Sequence, residues 1–390
     1  MAARAQRFGD AFIAAFGEPP YHKADAWDPL RYLVESARLA IEASGIDPRQ
    51  IDGVAVSSFL MPPHNVCTVT EALGLEVGWT SHGAQGGASS VLQTMRAAEA
   101  VERGSAQAIL VLSGDSFGVA NHMALMDVFN PTVRDYIAPF GFGGPNGMFG
   151  LVQRRHMHVY GTRVEQLGRI AVTQRGHARL NPNALLRAEM SLDDYLGARL
   201  IADPIRLYDC VLPCGGGGGL LISNGVIAAT LKQPPIRILA GAERTNHAPD
   251  APVALTGGWS HFAAALFEAA GVRHADLDLI ELYDDYPIMV AIQLEDLGFC
   301  EKGTVGRFLE QTDLSIKGEL PLNTGGGQLS CGQAGAAGGM IGLVEAVRQL
   351  QGKASDWQVS DAELGLVSGY GMVGFGHGLT TGSVILRRDA

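Results

Sequence analysis

Residues Ser89–Asp115 read SSVLQTMRAAEAVERGSAQAILVLSGD, and residues Gly338–Gly371 read GGMIGLVEAVRQLQGKASDWQVSDAELGLVSGYG. Each is a glycine- or serine-rich start, a helix rich in Ala, Val and Arg that stops at a glycine, and then an apolar strand. Val91, Leu92, Met95 and Ala98 recur at helical spacing, so one face of the first helix is expected to be packed. The turns ahead of the two helices also match in kind: GAQGGASS over Gly83–Ser90 and PLNTGGGQLSCGQAGAAGG over Pro321–Gly339. Self-similarity on this scale predicts an internal duplication, with a half of roughly two hundred residues.

Outward from these two stretches the same alternation continues. A helix is predicted near Pro29–Ser44, followed by the strand IDGVAVSSF from Ile51. In the second half RILAGAERT reads as a strand, GWSHFAAALFEAAG as a helix and DLDLIELYDDY as a strand ending in a polar turn. Strands alternating with helices predict an α/β fold. The segment from about 115 to 203 breaks the pattern, and its stretch IAPFGFGGPNG (Ile137–Gly147) suggests an inserted loop region over the first half. The expected division is therefore 1–235, including the insertion at about 115–203, and 236–390.

Composition limits the function classes. The chain has 390 residues, 47% hydrophobic and 18% charged, which suits a well-packed globular protein of two domains. No run of about 18 apolar residues marks a membrane span, and the N-terminus lacks the apolar core of a secretory signal, so a cytoplasmic enzyme is expected. A net charge of −11 argues against nucleic-acid binding but not against an anionic small molecule held by a helix N-terminus or a few arginines. Cys67, Cys210, Cys214, Cys300 and Cys331 are scattered and form no CxxC pair, so neither a disulfide framework nor a metal site is expected.

Four phrases in order carry a resemblance to a known family: QGGASS (Gln85–Ser90), ELYDDY (Glu281–Tyr286), the turn Asn323–Gly339, and GYGMVGFGHG (Gly369–Gly378). HARLNPNA (His177–Ala184) and IADPIRLYDC (Ile201–Cys210) support them. Together they resemble the thiolase superfamily, in its sterol-carrier-protein-type and thiolase-like branch, across essentially the whole chain. The resemblance implies a duplicated fold: two βαβαβαββ halves, each with a five-stranded mixed sheet, in five layers αβαβα. It also implies a coenzyme A thioester as substrate, no metal, a homodimer, and a small OB-fold/zinc-ribbon partner in a separate chain.

Compared with a working thiolase, this sequence differs at all four catalytic phrases. The family's nucleophilic Cys stands at a helix start, where partial positive charge favours a thiolate. Gly87 occupies that place here, and Ser89 reads as an N-cap of the helix that follows. The second phrase places Tyr283 where the family carries His or Asn; its phenol can donate a hydrogen bond or a proton to a developing alkoxide. In the third, Gln333 replaces a His and can donate to a carbonyl oxygen but cannot act as a base. The last loop holds Tyr370, Gly371 and His377 but no cysteine; His377 alone has an ordinary pKa suited to proton transfer at neutral pH.

The expected reaction is therefore one on an acyl-CoA that needs no cysteine acyl-enzyme. The first reading is retro-aldol cleavage of a β-hydroxyacyl-CoA, with Tyr283, Gln333 and His377 catalytic. Gly87, Ser89, Asp284, Asn323, Cys331, Tyr370 and Gly371 are the expected substrate-binding positions. A second reading is a thiolase-type acyltransferase, such as an acetyl-CoA acetyltransferase, with Cys331 or a serine standing in for the lost thiol. A third is a non-catalytic subunit that binds CoA esters within a complex.

Overall fold

The computed structural model describes residues 4–23, 26–62, 65–126, 131–141, 144–247, 251, 253–374 and 377–389; for 122–124, 126, 372–373 and 377–378 it describes the backbone alone. Its strands are β1 (Gln6–Arg7), β2 (Phe12–Gly17), β3 (Gly53–Ser57), β4 (Trp79–His82), β5 (Ala108–Ser116), β6 (Leu200–Ala202), β7 (Ile205–Arg206), β8 (Gly215–Ser223), β9 (Ile236–Thr245), β10 (Leu279–Glu281), β11 (Leu364–Gly374) and β12 (His377–Arg388). β6 and β7 pair only with each other, and the rest join in the order β10-β11-β12-β9-β2-β8-β5-β3-β4, with β1 on β9.

This sheet is pinched where β2 meets β9, through two residue pairs, Phe12↔Arg237 and Ile13↔Ile236. On either side of the pinch the topology repeats. In the first half β3 runs parallel to β4 and β5, and β8 runs antiparallel to β5 and to β2. In the second half β10 runs parallel to β11, and β12 runs antiparallel to β11 and to β9. β10 thus answers to β3, β11 to β5, β12 to β8 and β9 to β2. The counterpart of edge strand β4 is reduced to a single parallel bridge, Ile280↔Leu322. Chain-terminal β1 gives the second half its fifth strand.

The layers follow from where the apolar faces go. The helices Ser89–Glu102 and Gly338–Leu350, the pair whose sequences repeat, share one core. There Val91, Met95, Leu343 and Val347 pack with Ile109 and Leu220 of the first half-sheet and Ile238 and Val384 of the second. The two helices therefore form the middle layer. Outside the first half-sheet, Leu33 and Ala37 of the helix Pro29–Ser44 pack on Val54 and Leu110. That helix starts where Asp28 accepts from the Arg31 N–H, with Pro29 at its first position, and stops at Gly45 in the left-handed region. Outside the second half-sheet, Phe262 and Leu266 of the helix Trp259–Ala270 pack on Ile280, Leu366 and Ile385. The order is αβαβα.

The excursion between β5 and β8 differs from its expectation. It is largely helical, with helices Val119–Met126, Pro145–Tyr160, Val164–Ala178 and Leu192–Gly197. It also covers the second half rather than the first: Phe149, Val152, Leu167 and Ile170 join the core of Trp259 and Ile288. Within the stretch that read as loop, Pro145 stands at the first position of a helix and Gly141 closes the short turn Ala138–Phe140 in the left-handed region, while residues 142–143 lie outside the described residues. No helix among the described residues is long and apolar enough to cross a membrane.

Candidate active site

The first three phrases and residues Gly369–Gly371 of the fourth meet at the N-terminal ends of the two middle-layer helices. β10 ends at Glu281, and the chain then runs through Leu282–Tyr286 until Pro287 opens the helix Pro287–Asp296. This exit carries Tyr283 up to the turn before the helix Ser89–Glu102. The fit is close: a Cβ on Gly87 would overlap the ring and hydroxyl of Tyr283. Gly339 lies against the Gly87 carbonyl, and Gly371 against the backbone of Gln85 to Gly87, each too near for a side chain. The glycines of the motifs let three backbone segments and one phenol occupy a single spot.

Tyr283 is held from several directions. Gln293 accepts from the Tyr283 N–H at 3.3 Å and donates to its carbonyl at 2.7 Å, and Ser368 Oγ donates to the same Gln293 Oε1. The Tyr283 ring meets that of Tyr370 edge-on, with centroids 4.7 Å apart. Tyr370 Oη donates to Asp285 Oδ1, which fixes the second ring. Gln333 Nε2 donates to Tyr283 Oη at 3.4 Å and to Gln328 Oε1 at 3.1 Å. Burial, and then the nearby Asp285 and Asp284 carboxylates, push the Tyr283 phenol well above its ordinary pKa. At neutral pH it is a protonated hydrogen-bond donor.

The structure brings Gly87, Tyr283, Gln333, Tyr370 and Gly371 together, and gives several other expected contact residues internal partners. Asp284 accepts from the Gln328 N–H at 2.9 Å and the Leu329 N–H at 3.1 Å, so it caps the short helix Gly327–Cys331; burial raises its pKa to about 6. Asn323, at φ 48°, spends both ends of its amide on the Leu282 backbone, at 2.7 and 2.9 Å. Cys331 is buried, with its thiol on the Gly325 carbonyl at 3.3 Å, and burial raises its pKa well above that of an ordinary thiol. A thiol held protonated is a weaker nucleophile than a thiolate. Ser89 does not cap the helix: it is fully buried, and its Oγ accepts from the Gln85 N–H four residues back at 2.9 Å. His377 opens β12, and its side chain lies outside the described residues.

Sequence reasoning missed three supports of the site. Asp285 anchors Tyr370, Gln293 clamps the Tyr283 peptide, and Gln328 orients Gln333. Asp285 and Gln328 stood inside phrases already quoted. Gln293 gave no signal, because only folding brings position i+10 of a helix back onto a strand end.

Residues 240–387 match the family described as Thiolase C-terminal domain-like. The chain is 30% identical to the steroid side-chain-cleaving aldolase of Thermomonospora curvata, over 98% of each protein. It is also 30% identical to the 17-hydroxy-3-oxo-4-pregnene-20-carboxyl-CoA lyase of Mycobacterium tuberculosis, over 88% of this chain and 92% of that one. A solved structure titled Ltp2-ChsH2(DUF35) aldolase superposes with a TM-score of 0.82 at 28% identity, covering 97% of this chain and 98% of that one. The chain belongs to the thiolase superfamily, in the thiolase-like branch that contains the steroid side-chain-cleaving aldolase.

Proposed function

We propose that the protein is an acyl-CoA lyase that breaks the Cα–Cβ bond of a β-hydroxyacyl-CoA by a retro-aldol reaction, without an acyl-enzyme. The observation that carries this reading is the Tyr283 phenol in the volume a nucleophilic side chain at 87 would occupy. The position is lost to covalent catalysis both chemically and sterically. In its place stands a hydroxyl that suits a substrate alcohol.

In the reaction the β-hydroxyl gives up its proton, its oxygen becomes a ketone or aldehyde, and the Cα–Cβ electron pair moves into the thioester as an enolate. Protonation at Cα then releases a shorter acyl-CoA. Tyr283 is assigned to the β-hydroxyl oxygen as its hydrogen-bond donor, with the hydroxyl proton passing to the His377 imidazole, and Gln333 with nearby backbone amides is assigned to the enolate oxygen. His377 is assigned to the remaining proton transfer. Gly87, Gly371 and Tyr370 shape the cleft where the thioester lies.

The same proposal includes a homodimer in the cytoplasm. It also includes a small OB-fold/zinc-ribbon partner, supported by the two-component title of the superposing aldolase. The test is incubation with β-hydroxyacyl-CoA thioesters, steroid side chains among them, with and without such a partner. A carbonyl product and a shorter acyl-CoA are expected, with the protein mass unchanged. A stable acyl adduct, lost on Cys331→Ala, would instead identify an acyltransferase, and binding without turnover a non-catalytic subunit.

A further inference from the structure

Behind Tyr283 the sheet carries a buried carboxyl pair that the reaction above does not use. Glu281, the last residue of β10, and Glu345, on the helix Gly338–Leu350, are each 2% exposed. Gly342 lets that helix come close to the Cβ of Glu281. Thr324 Oγ1 sits between the two acids, 2.9 Å from Glu281 Oε1 and 2.8 Å from Glu345 Oε1. A hydroxyl has one hydrogen and can donate to only one of them. The other contact needs a proton on a carboxyl oxygen.

The surroundings decide which one. Glu345 Oε1 already accepts from Gln349 Nε2 at 2.8 Å and Trp357 Nε1 at 2.9 Å, and Glu345 Oε2 accepts from Arg348, which also reaches Glu18 at 2.5 Å. Both Glu345 oxygens are thus already taken by donors. Among the described residues Glu281 makes no ion pair; it faces Glu345 and its own neighbour Asp284, and its Oε1 also takes the Thr324 N–H at 3.0 Å. The Thr324 hydroxyl therefore donates to Glu345 and accepts from a Glu281 O–H. Burial and the Glu345 charge raise the Glu281 pKa, which agrees.

We propose that Glu281 is a neutral carboxylic acid and a positioning residue of the site. Through Thr324 it holds the turn that leads to Gln328 and Gln333, and it lines one small cavity with Tyr283, Gly339 and Ser368. While neutral, it keeps a further negative charge away from the wall behind a developing enolate, beside Asp284 and beside Asp285, whose carboxyl burial and the Asp284 charge push well above its ordinary range. The other titratable groups near it are Tyr283 on its own segment, Glu345 and its partner Arg348 on the facing helix, and His177 of the helix Val164–Ala178, whose ring is bonded to the Asn323 carbonyl at 3.2 Å and feels the Glu345 charge.

The kinetic part rests on the lyase reading, whereas the proton assignment does not. Infrared difference spectra of wild type against Glu281→Gln and Glu345→Gln read the protonated-carboxyl carbonyl band at neutral pH. The band is expected to vanish in E281Q and persist in E345Q; a wild-type spectrum whose band is untouched by E281Q overturns the proposal. In kinetics Glu281→Ala should lower kcat/KM by about tenfold or more, and Gln should recover most of it; a Gln variant as slow as Ala also overturns the proposal. If E281Q does not fold, the band is titrated in Asp285→Asn, which removes the neighbouring buried carboxyl that is also pushed far up; no remaining protonated-carboxyl band overturns the proposal. Absent cleavage with the expected spectra rejects the lyase reading alone.

Discussion

Because the ring of Tyr283 fills the space that any side chain at 87 would enter, the two positions act as one unit. Tyr283→Phe should leave the fold intact, since Gln293 binds only the Tyr283 backbone and the ring contact with Tyr370 survives. Loss of the hydroxyl should lower kcat by about 10²–10⁴, the usual range for a general acid–base group, measured by release of the shorter acyl-CoA. A variant that keeps wild-type kcat would remove Tyr283 from the chemistry. Gly87→Ala tests the other partner: its methyl group must displace the phenol, so both activity and about 1–3 kcal/mol of stability should be lost. Thermal unfolding beside the rate assay separates this outcome from simple misfolding.

At the scale of elements, the turn Asn323–Gly327 and the helix Gly327–Cys331 are held in place by side chains rather than by length. Asp284 is the cap, and its carboxyl is buried, with a pKa raised to about 6. The sign follows from linkage: a carboxyl raised above its unfolded value of about 3.9 contributes its full stability below that value and loses it as pH rises through about 6. Asp284→Asn keeps an oxygen for the Gln328 N–H and does not titrate. Wild type should therefore lose about 2–3 kcal/mol relative to D284N between pH 4 and pH 7, read from denaturant unfolding at each pH. A difference that does not change with pH would show that Asp284 titrates normally. The sequence marked this turn as functional through its glycines and polar residues, but it could not separate residues that face substrate from residues that hold the turn. Asp284, Asn323 and Ser89 are polar, and their carboxylate, amide or hydroxyl groups are engaged by backbone groups. Such pairing depends on a positive φ at Asn323 and on register between distant segments, neither of which has a local signature.

For the whole molecule, the repeat of helix and strand around Ser89 and Gly338 was enough to read a duplicated α/β fold, because period and glycine punctuation are local properties. How the halves join was not local. We propose 1–235 and 236–390 as the two halves, since β9 starts at Ile236, although β1 pairs with β9 across that boundary and the excursion after β5 packs on the second half. These exchanges, together with a middle layer shared by both sheets, predict a single cooperative unit. Leu343 is fully buried in the shared core, among residues of both half-sheets. Leu343→Ala should cost about 2–5 kcal/mol, as for other buried leucines. Native-state hydrogen exchange locates the loss: protection should fall together in β5 of the first half and β11 of the second, because one global opening exposes both. If β11 alone loses protection, the halves unfold separately, and the site between them is assembled from two independently stable units.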